Sequence, residues 1–143
     1  MSKNNKIIGK TGEEIAVNYY KNSGAVIHFK NYKCRYGEID IIAGSGRDLI
    51  FAEVKTRENI NYGYPFEAVT ESKLNKIKKA SQYFLLNENS FEKHNYNLRF
   101  DVISIILSKE LAVAILAEED LDPIDISKLR NGIDYNLEHI IAI

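Results

Sequence analysis

One cysteine, Cys34, is all the thiol that 143 residues contain, and a lone thiol excludes an internal disulfide and a cysteine-rich zinc site. No apolar run approaches the roughly 18 residues that a membrane span needs. The opening stretch, MSKNNKIIGK, is basic but lacks the apolar segment and cleavage site of a secretory signal. Neither GxxxxGK[ST] nor GxGxxG occurs, which removes ATP-driven and dinucleotide-binding readings. The three histidines, His28, His94 and His139, are too dispersed for a metal cluster and read as surface or strand residues. Internal repeats and low-complexity tracts are also missing. What remains is ordinary globular composition, 45% hydrophobic and 27% charged, enough for one domain with one core. The expectation is a cytoplasmic protein with no membrane partner.

Strong charge of either sign is absent too, since the formal net charge is −1. The balance is nevertheless uneven along the chain. Residues 1–109 hold 17 Lys/Arg against 12 Asp/Glu, whereas residues 110–143 hold 2 against 8. A basic surface in the first three-quarters is therefore concealed in the total by an acidic tail.

Periodicity gives the elements. Residues 11–23 predict a helix, with Thr11 and Glu14 as a capping box and Ile15, Ala16, Tyr19 and Tyr20 at helical spacing before Gly24. Residues 25–29 predict a short strand. EIDIIA (residues 38–43) and LIFAEVK (residues 49–55) predict an antiparallel hairpin across a turn at 44–48. A loop follows around Gly63, Tyr64 and Pro65, then a helix over 72–86 with Leu74, Ile77, Ser81, Phe84 and Leu85 on one face. Lys73, Lys76 and Lys79 fall three apart along the edge of that face, as a phosphate platform would. Residues 87–97 predict a loop and 99–107 a strand. The run 111–117 is apolar but too short to declare its period, and residues 136–143 predict a final edge strand. The order predicts an α/β fold, a mixed sheet with helices packed against it.

Acids stand where strands should be apolar. In LIFAEVK the residues are apolar on both faces, so the strand is central and covered. Alternation puts Glu53 and Lys55 on the face of Leu49 and Phe51, where a charge is costly unless paired or bound to a metal. Glu38 and Asp40 alternate with Ile39 and Ile41 in the same way. Two carboxylates and a lysine so placed suit a hard divalent cation with oxygen ligands. Such a cation can activate water and offset charge on a phosphate under attack, with lysine stabilising the transition state. On the first helix, 100° per residue separates two glutamates. Glu14 lies opposite the core-facing centre, whereas Glu13 lies at its flank and can look into a site at the sheet edge.

These segments carry a resemblance. GKTGEEIAVNYY, NYKCRYGEIDIIA, LIFAEVKTR, the Gly63-Tyr64-Pro65 loop and RFDVISI resemble the YraN-like bacterial family over roughly residues 7–106. That family has a restriction-endonuclease-like fold similar to archaeal Holliday-junction resolvases, and Asp40 followed by Glu53-Val54-Lys55 matches the D…ExK form of the PD-(D/E)xK nuclease signature. The resemblance implies that Asp40, Glu53, Glu13 and the Val54 carbonyl hold Mg²⁺ or Mn²⁺, and that Lys55 is the catalytic lysine. It implies phosphate contacts at Lys33, Arg35, Arg57 and Lys73. Asp101 also matches a family position, but the expectation there is a buried salt bridge with Arg99 or a nearby lysine.

On this reading residues 1–107 form a nuclease-like core, residues 108–135 an acidic insertion that departs from the family pattern, and residues 136–143 the core's last strand. Shielding of the basic surface, self-association into a homodimer and contact with a partner protein are all open uses for the insertion. Two functions follow. The first is a metal-dependent endonuclease on DNA, branched or single-stranded. The second is a nucleic-acid-binding or adaptor module that keeps the fold with little turnover.

Overall fold

A computed structural model describes residues 3–58, 70–88, 90–91, 95–117 and 124–142. The loop at Gly63, Tyr64 and Pro65 and the side chain of His94 lie outside the described residues.

Helix α1 (Lys3–Asn22) starts about two turns before the expected position. Thr11 is therefore not its cap. Its hydroxyl donates to the Ile7 carbonyl at 2.9 Å, the back-bond a hydroxyl makes inside a helix. The early turns are polar and basic, so they carry little of the apolar stripe that periodicity detects. Ile8, Ile15, Ala16 and Tyr20 bury the inner face, and Gly24, at φ 93°, ends the helix.

Three antiparallel strands follow, β1 (Val26–Cys34), β2 (Gly37–Ser45) and β3 (Asp48–Arg57), each longer than its apolar kernel predicts. Ser45 pairs with Asp48, so the hairpin turn narrows to Gly46-Arg47, with Gly46 at φ 59°. Helix α2 (Glu71–Asn87) is capped by the Thr70 hydroxyl, which accepts from the Lys73 N–H. It leads into β4 (Asn97–Leu107), parallel to β3. The undecided apolar run is helical, forming α3 (Lys109–Leu116) with Ser108 as cap. β5 (Tyr135–Ala142) pairs antiparallel with β4. The sheet order is β1-β2-β3-β4-β5, a mixed five-stranded sheet flanked by helices.

β3 divides the core by alternation. Ile50, Ala52 and Val54 join α1 and α3, whereas Leu49 and Phe51 join α2 through Ile77, Ala80 and Phe84. Each large buried side chain contributes roughly 1.5–3 kcal/mol. Leu111, Ala112 and Ile115 of α3 belong to the α1-side core, so part of the segment 108–135 packs against the sheet. No helix among the described residues is long and apolar enough to cross a membrane.

One irregularity positions everything that follows. Pairing between β2 and β3 stops at Ile41 opposite Ala52. Beyond it β2 stays with β1 as far as Gly37, and β3 stays with β4 as far as Arg57. The sheet therefore opens into a fork, with Glu38 and Asp40 on one prong and Glu53, Lys55 and Arg57 on the other.

Candidate active site

A cleft of about 710 Å³ occupies the fork and is closed on one side by α1. Glu13, Asp40, Glu53, Val54 and Lys55 all line it, together with Lys33 and Arg57. At its floor the Asp40 carboxylate replaces the lost ladder bond, its Oδ2 accepting the Val54 N–H at 2.8 Å. Burial and the neighbouring Glu53 charge push the Asp40 carboxyl up to about 8, against the Val54 hydrogen bond. Lys55 Nζ lies 3.2 Å from Glu53 Oε1, both side chains largely buried.

Helix α1 delivers Glu13 to the same place. Glu13 is half-buried and Glu14 exposed, as their angular positions predict. Burial raises the Glu13 carboxyl above its ordinary value, opposed by a hydrogen bond from Asn31. With its nitrogen turned inward, the Asn31 amide donates to Glu13 Oε2 at 3.2 Å and Glu38 Oε1 at 3.1 Å. Asn31 sits at φ 55°, a left-handed conformation that asparagine tolerates better than most residues. Close packing sets the helix height: a Cβ on Gly12 would come 2.7 Å from Thr56 Cβ and 2.8 Å from Thr56 Cγ2.

Four acids therefore meet five cations in one cleft, since Lys6 and Lys10 also line it. The donors available to a cation are the carboxylates of Asp40, Glu53 and Glu13 and the Val54 carbonyl, all hard oxygen. Among the described residues, no group of three or more His, Cys, Asp or Glu side chains is placed so that it could hold a metal ion by itself. This donor chemistry fits a cation that keeps much of its own water, as Mg²⁺ does. Burial first and the Glu53 charge second raise the Asp40 carboxyl, and a cation would offset the second of these.

Arg35, Lys73, Lys76 and Lys79 do not line the cleft. Arg35 donates to the Tyr36 hydroxyl at 2.9 Å. The three lysines are exposed on α2, which packs on the other face of the sheet. Lys6, Lys10 and Asn31 were the residues missed. The signal for the lysines was present, because positions 6, 10 and 13 share one helical face.

Asp101 occupies a separate, buried network. Arg99 donates to it twice, Nε to Oδ1 at 2.9 Å and Nη2 to Oδ2 at 2.8 Å, so the expected salt bridge is present. The Tyr20 hydroxyl also donates to Oδ2, at 2.8 Å. His139 has the expected place on a strand, β5, and joins the network: its Nε2 lies 2.6 Å from Oδ2, and its Nδ1 lies 2.8 Å from the Tyr19 hydroxyl. Burial would raise the Asp101 carboxyl, but hydrogen bonds from His139, Arg99 and Tyr20 outweigh it and hold it below its ordinary value. The network ties α1 to β4 and β5.

Comparison with known proteins gives the family. The family described as Uncharacterised protein family UPF0102 matches residues 12–105. A UPF0102 protein of Dictyoglomus turgidum is 47% identical over 105 residues, covering 73% of this chain and 86% of the relative. One from Clostridium botulinum strain Kyoto is 48% identical over 104 residues, covering 73% and 83%. One from Dictyoglomus thermophilum is 46% identical over 107 residues, covering 74% and 87%. The matched segment runs from Gly12 of α1 through β4 and contains the acids and lysine of the fork. The chain belongs to UPF0102, the YraN-like family.

Proposed function

We propose that this protein is a metal-dependent nuclease that hydrolyses DNA phosphodiester bonds on the restriction-endonuclease-like PD-(D/E)xK plan. The observation that carries the reading is the convergence of Glu13, Asp40, Glu53 and Lys55 in the fork, from helix α1 and both strands of the β2–β3 hairpin. Asp40, Glu53 and the Val54 carbonyl would hold Mg²⁺ or Mn²⁺, with Glu13 at the flank. The bound cation supplies charge compensation at the scissile phosphate and a more acidic water.

The chain's own residues do the rest. Lys55 presents an ammonium beside Glu53, where it donates to a phosphate oxygen as charge develops. Glu13, with its raised carboxyl, is suited to take a proton from the attacking water. Lys33 and Arg57 hold phosphate at the rim. A second reading, a DNA-binding module with little turnover, draws support from the Lys55–Glu53 ion pair, which occupies both side chains with each other.

The experiment is single-turnover cleavage of linear, flapped and four-way DNA in Mg²⁺ and Mn²⁺. Lys55→Met keeps the length of the side chain and leaves both acids in place. Its cleavage rate should fall on the order of 10²–10³, with DNA binding in Ca²⁺ near wild type. Cleavage by Lys55→Met at the wild-type rate would refute the mechanism. Binding without cleavage by the wild type on every substrate would favour the module.

A further inference from the structure

We propose that the N-terminal half of α1, with Arg57, is a phosphate-binding track for the nucleic-acid strand that leaves the fork. The track extends the substrate from one phosphodiester to a polynucleotide strand, and it rests on the nuclease reading of the fork. Three independent features carry it.

The first is charge placement. Lys6 and Lys10 line the cleft on the same face of α1 as Glu13. By helix geometry Lys10 precedes Glu13 by about 4.5 Å along the axis, and Lys6 lies about 6 Å further on. Neither lysine makes an ion pair among the described residues. The cations thus lead away from the acids in a line, as successive phosphates of a strand would require. A small lone anion would need only one of them.

The second is a departure from helix design. A helix N-terminus is electropositive, so acids are favoured in its first turn and lysines are not. Helices α2 and α3 follow that preference, with Glu71 and Glu110. Helix α1 has no acid in its first turn and begins Lys3, Asn4, Asn5, Lys6. The lysines add to the dipole instead of opposing it, which costs helix stability and raises the potential facing the cleft. Local preference broken in this way marks a functional surface more often than a packing need.

The third is an exit with an unpartnered donor. A second cleft of about 570 Å³ is lined by Asn5, Ile8, Thr56, Arg57 and Glu58, and it shares all of these but Glu58 with the first. Arg57 borders both, and its Nε is buried with no hydrogen-bond partner among the described residues. A buried guanidinium donor left unpaired is costly, and a phosphate oxygen arriving through the cleft would satisfy it. Gly9 lines the first cleft, between Lys6 and Lys10. A Cβ there would meet nothing within 4 Å, so the helix surface is open to a close-lying backbone.

The test is binding of single-stranded oligodeoxynucleotides of increasing length in Ca²⁺, across a salt series, for wild type, Lys6→Gln/Lys10→Gln and Gly9→Leu. Wild-type affinity should rise with length beyond the span of the fork. The double variant should lose roughly tenfold or more at low salt, and its slope of log K against log salt should shrink by roughly 1.4, about 0.7 for each lost contact. Gly9→Leu removes no charge and inserts a good helix former, yet should also weaken binding of the longer strands. Affinity and slope unchanged in the double variant would overturn the track, as would a wild type with no length dependence. The nuclease reading is scored separately, by cleavage in wild type and Asp40→Asn. Lysine-dependent binding with no cleavage keeps the track and rejects the nuclease, and cleavage with lysine-independent binding does the reverse.

Discussion

Two glycines in one helix should respond oppositely to the same substitution. Intrinsic propensity predicts that Gly→Ala inside a helix stabilises it by about 1 kcal/mol. At Gly9 nothing opposes that gain, because the added methyl meets no atom within 4 Å. At Gly12 the methyl would press on three atoms of Thr56, with the two carbons at 2.7 and 2.8 Å and Oγ1 closer still. Ordinary carbon contacts lie near 3.5–4.0 Å, so helix or strand must yield by about 1 Å. Overpacking of that kind costs about 1–3 kcal/mol and cancels or exceeds the propensity gain. The two variants should therefore differ by about 1–3 kcal/mol. For a chain of this size that is several degrees in Tm, with Gly9→Ala above wild type and Gly12→Ala at or below it.

The consequence reaches the site, because Glu13 is the next residue. A shift of α1 by about 1 Å carries Glu13 away from Asp40 and Glu53, and misplacement on that scale can cost 10²-fold in rate. Thermal and urea unfolding give the stabilities, and Mn²⁺ titration gives the site. Thr56→Ala in the Gly12→Ala background removes Oγ1 and Cγ2 but leaves Cβ, so it should recover part of the loss. Equal stabilisation by the two alanines would refute the close packing of α1 on β3.

The Asp40 carboxyl, raised to about 8 in the folded protein, should make stability fall as pH rises. Its proton is retained by the native state and released by the unfolded chain between about pH 4 and pH 8. Asp40→Asn keeps an acceptor for the Val54 N–H, so it should exceed wild type in Tm by a margin that widens over that window, and added Mn²⁺ should close the gap from the wild-type side only. In the Asp101 network, Tyr20→Phe should cost about 1.5–3 kcal/mol, the range for a hydrogen bond to a charged group. The depressed Asp101 carboxyl has the opposite sign. Its stabilisation is present above the unfolded carboxyl pKa near 4 and is lost as pH falls through its lower folded value, which acid unfolding of wild type and Asp101→Asn will compare. Asn31→Gly accepts the positive φ but removes the amide, so it should leave stability within about 1 kcal/mol while weakening Mn²⁺ uptake. An unchanged Mn²⁺ isotherm would show that the Glu13 and Glu38 carboxylates need no clamp.

The acids and Lys55 were legible because each breaks a local rule. A charge inside an apolar strand is a conflict between position and chemistry, and Asp40, Glu53 and Lys55 each present one within a few residues. The fork that unites them was not legible. Alternation places Glu53 on the face of Phe51, whereas the cleft receives Glu53, Val54, Lys55, Thr56 and Arg57 together. That happens only because β2 leaves β3 after Ile41, and ladder termination depends on pairing partners distant in sequence. His139 was unreadable for a related reason. Its role exists only through Tyr19 and Asp101, which lie 120 and 38 residues away.

The basic half of α1 is not legible in the sequence because the rule that finds helix starts weighs caps and apolar periodicity. A segment selected for cationic charge along one face scores poorly on both. Thr11-x-x-Glu14 matches a capping box, so the local pattern places the helix start two turns too late. The structure assigns Thr11 to the helix interior and leaves the true beginning without an acid in its first turn. The error and the track thus share one cause. A helix whose start is built for the potential it projects will look, by the criteria of helix stability, like a segment that precedes a helix. Positions 6, 10 and 13 would have exposed it, since a spacing of four and then three aligns two lysines with the acid already suspected at Glu13.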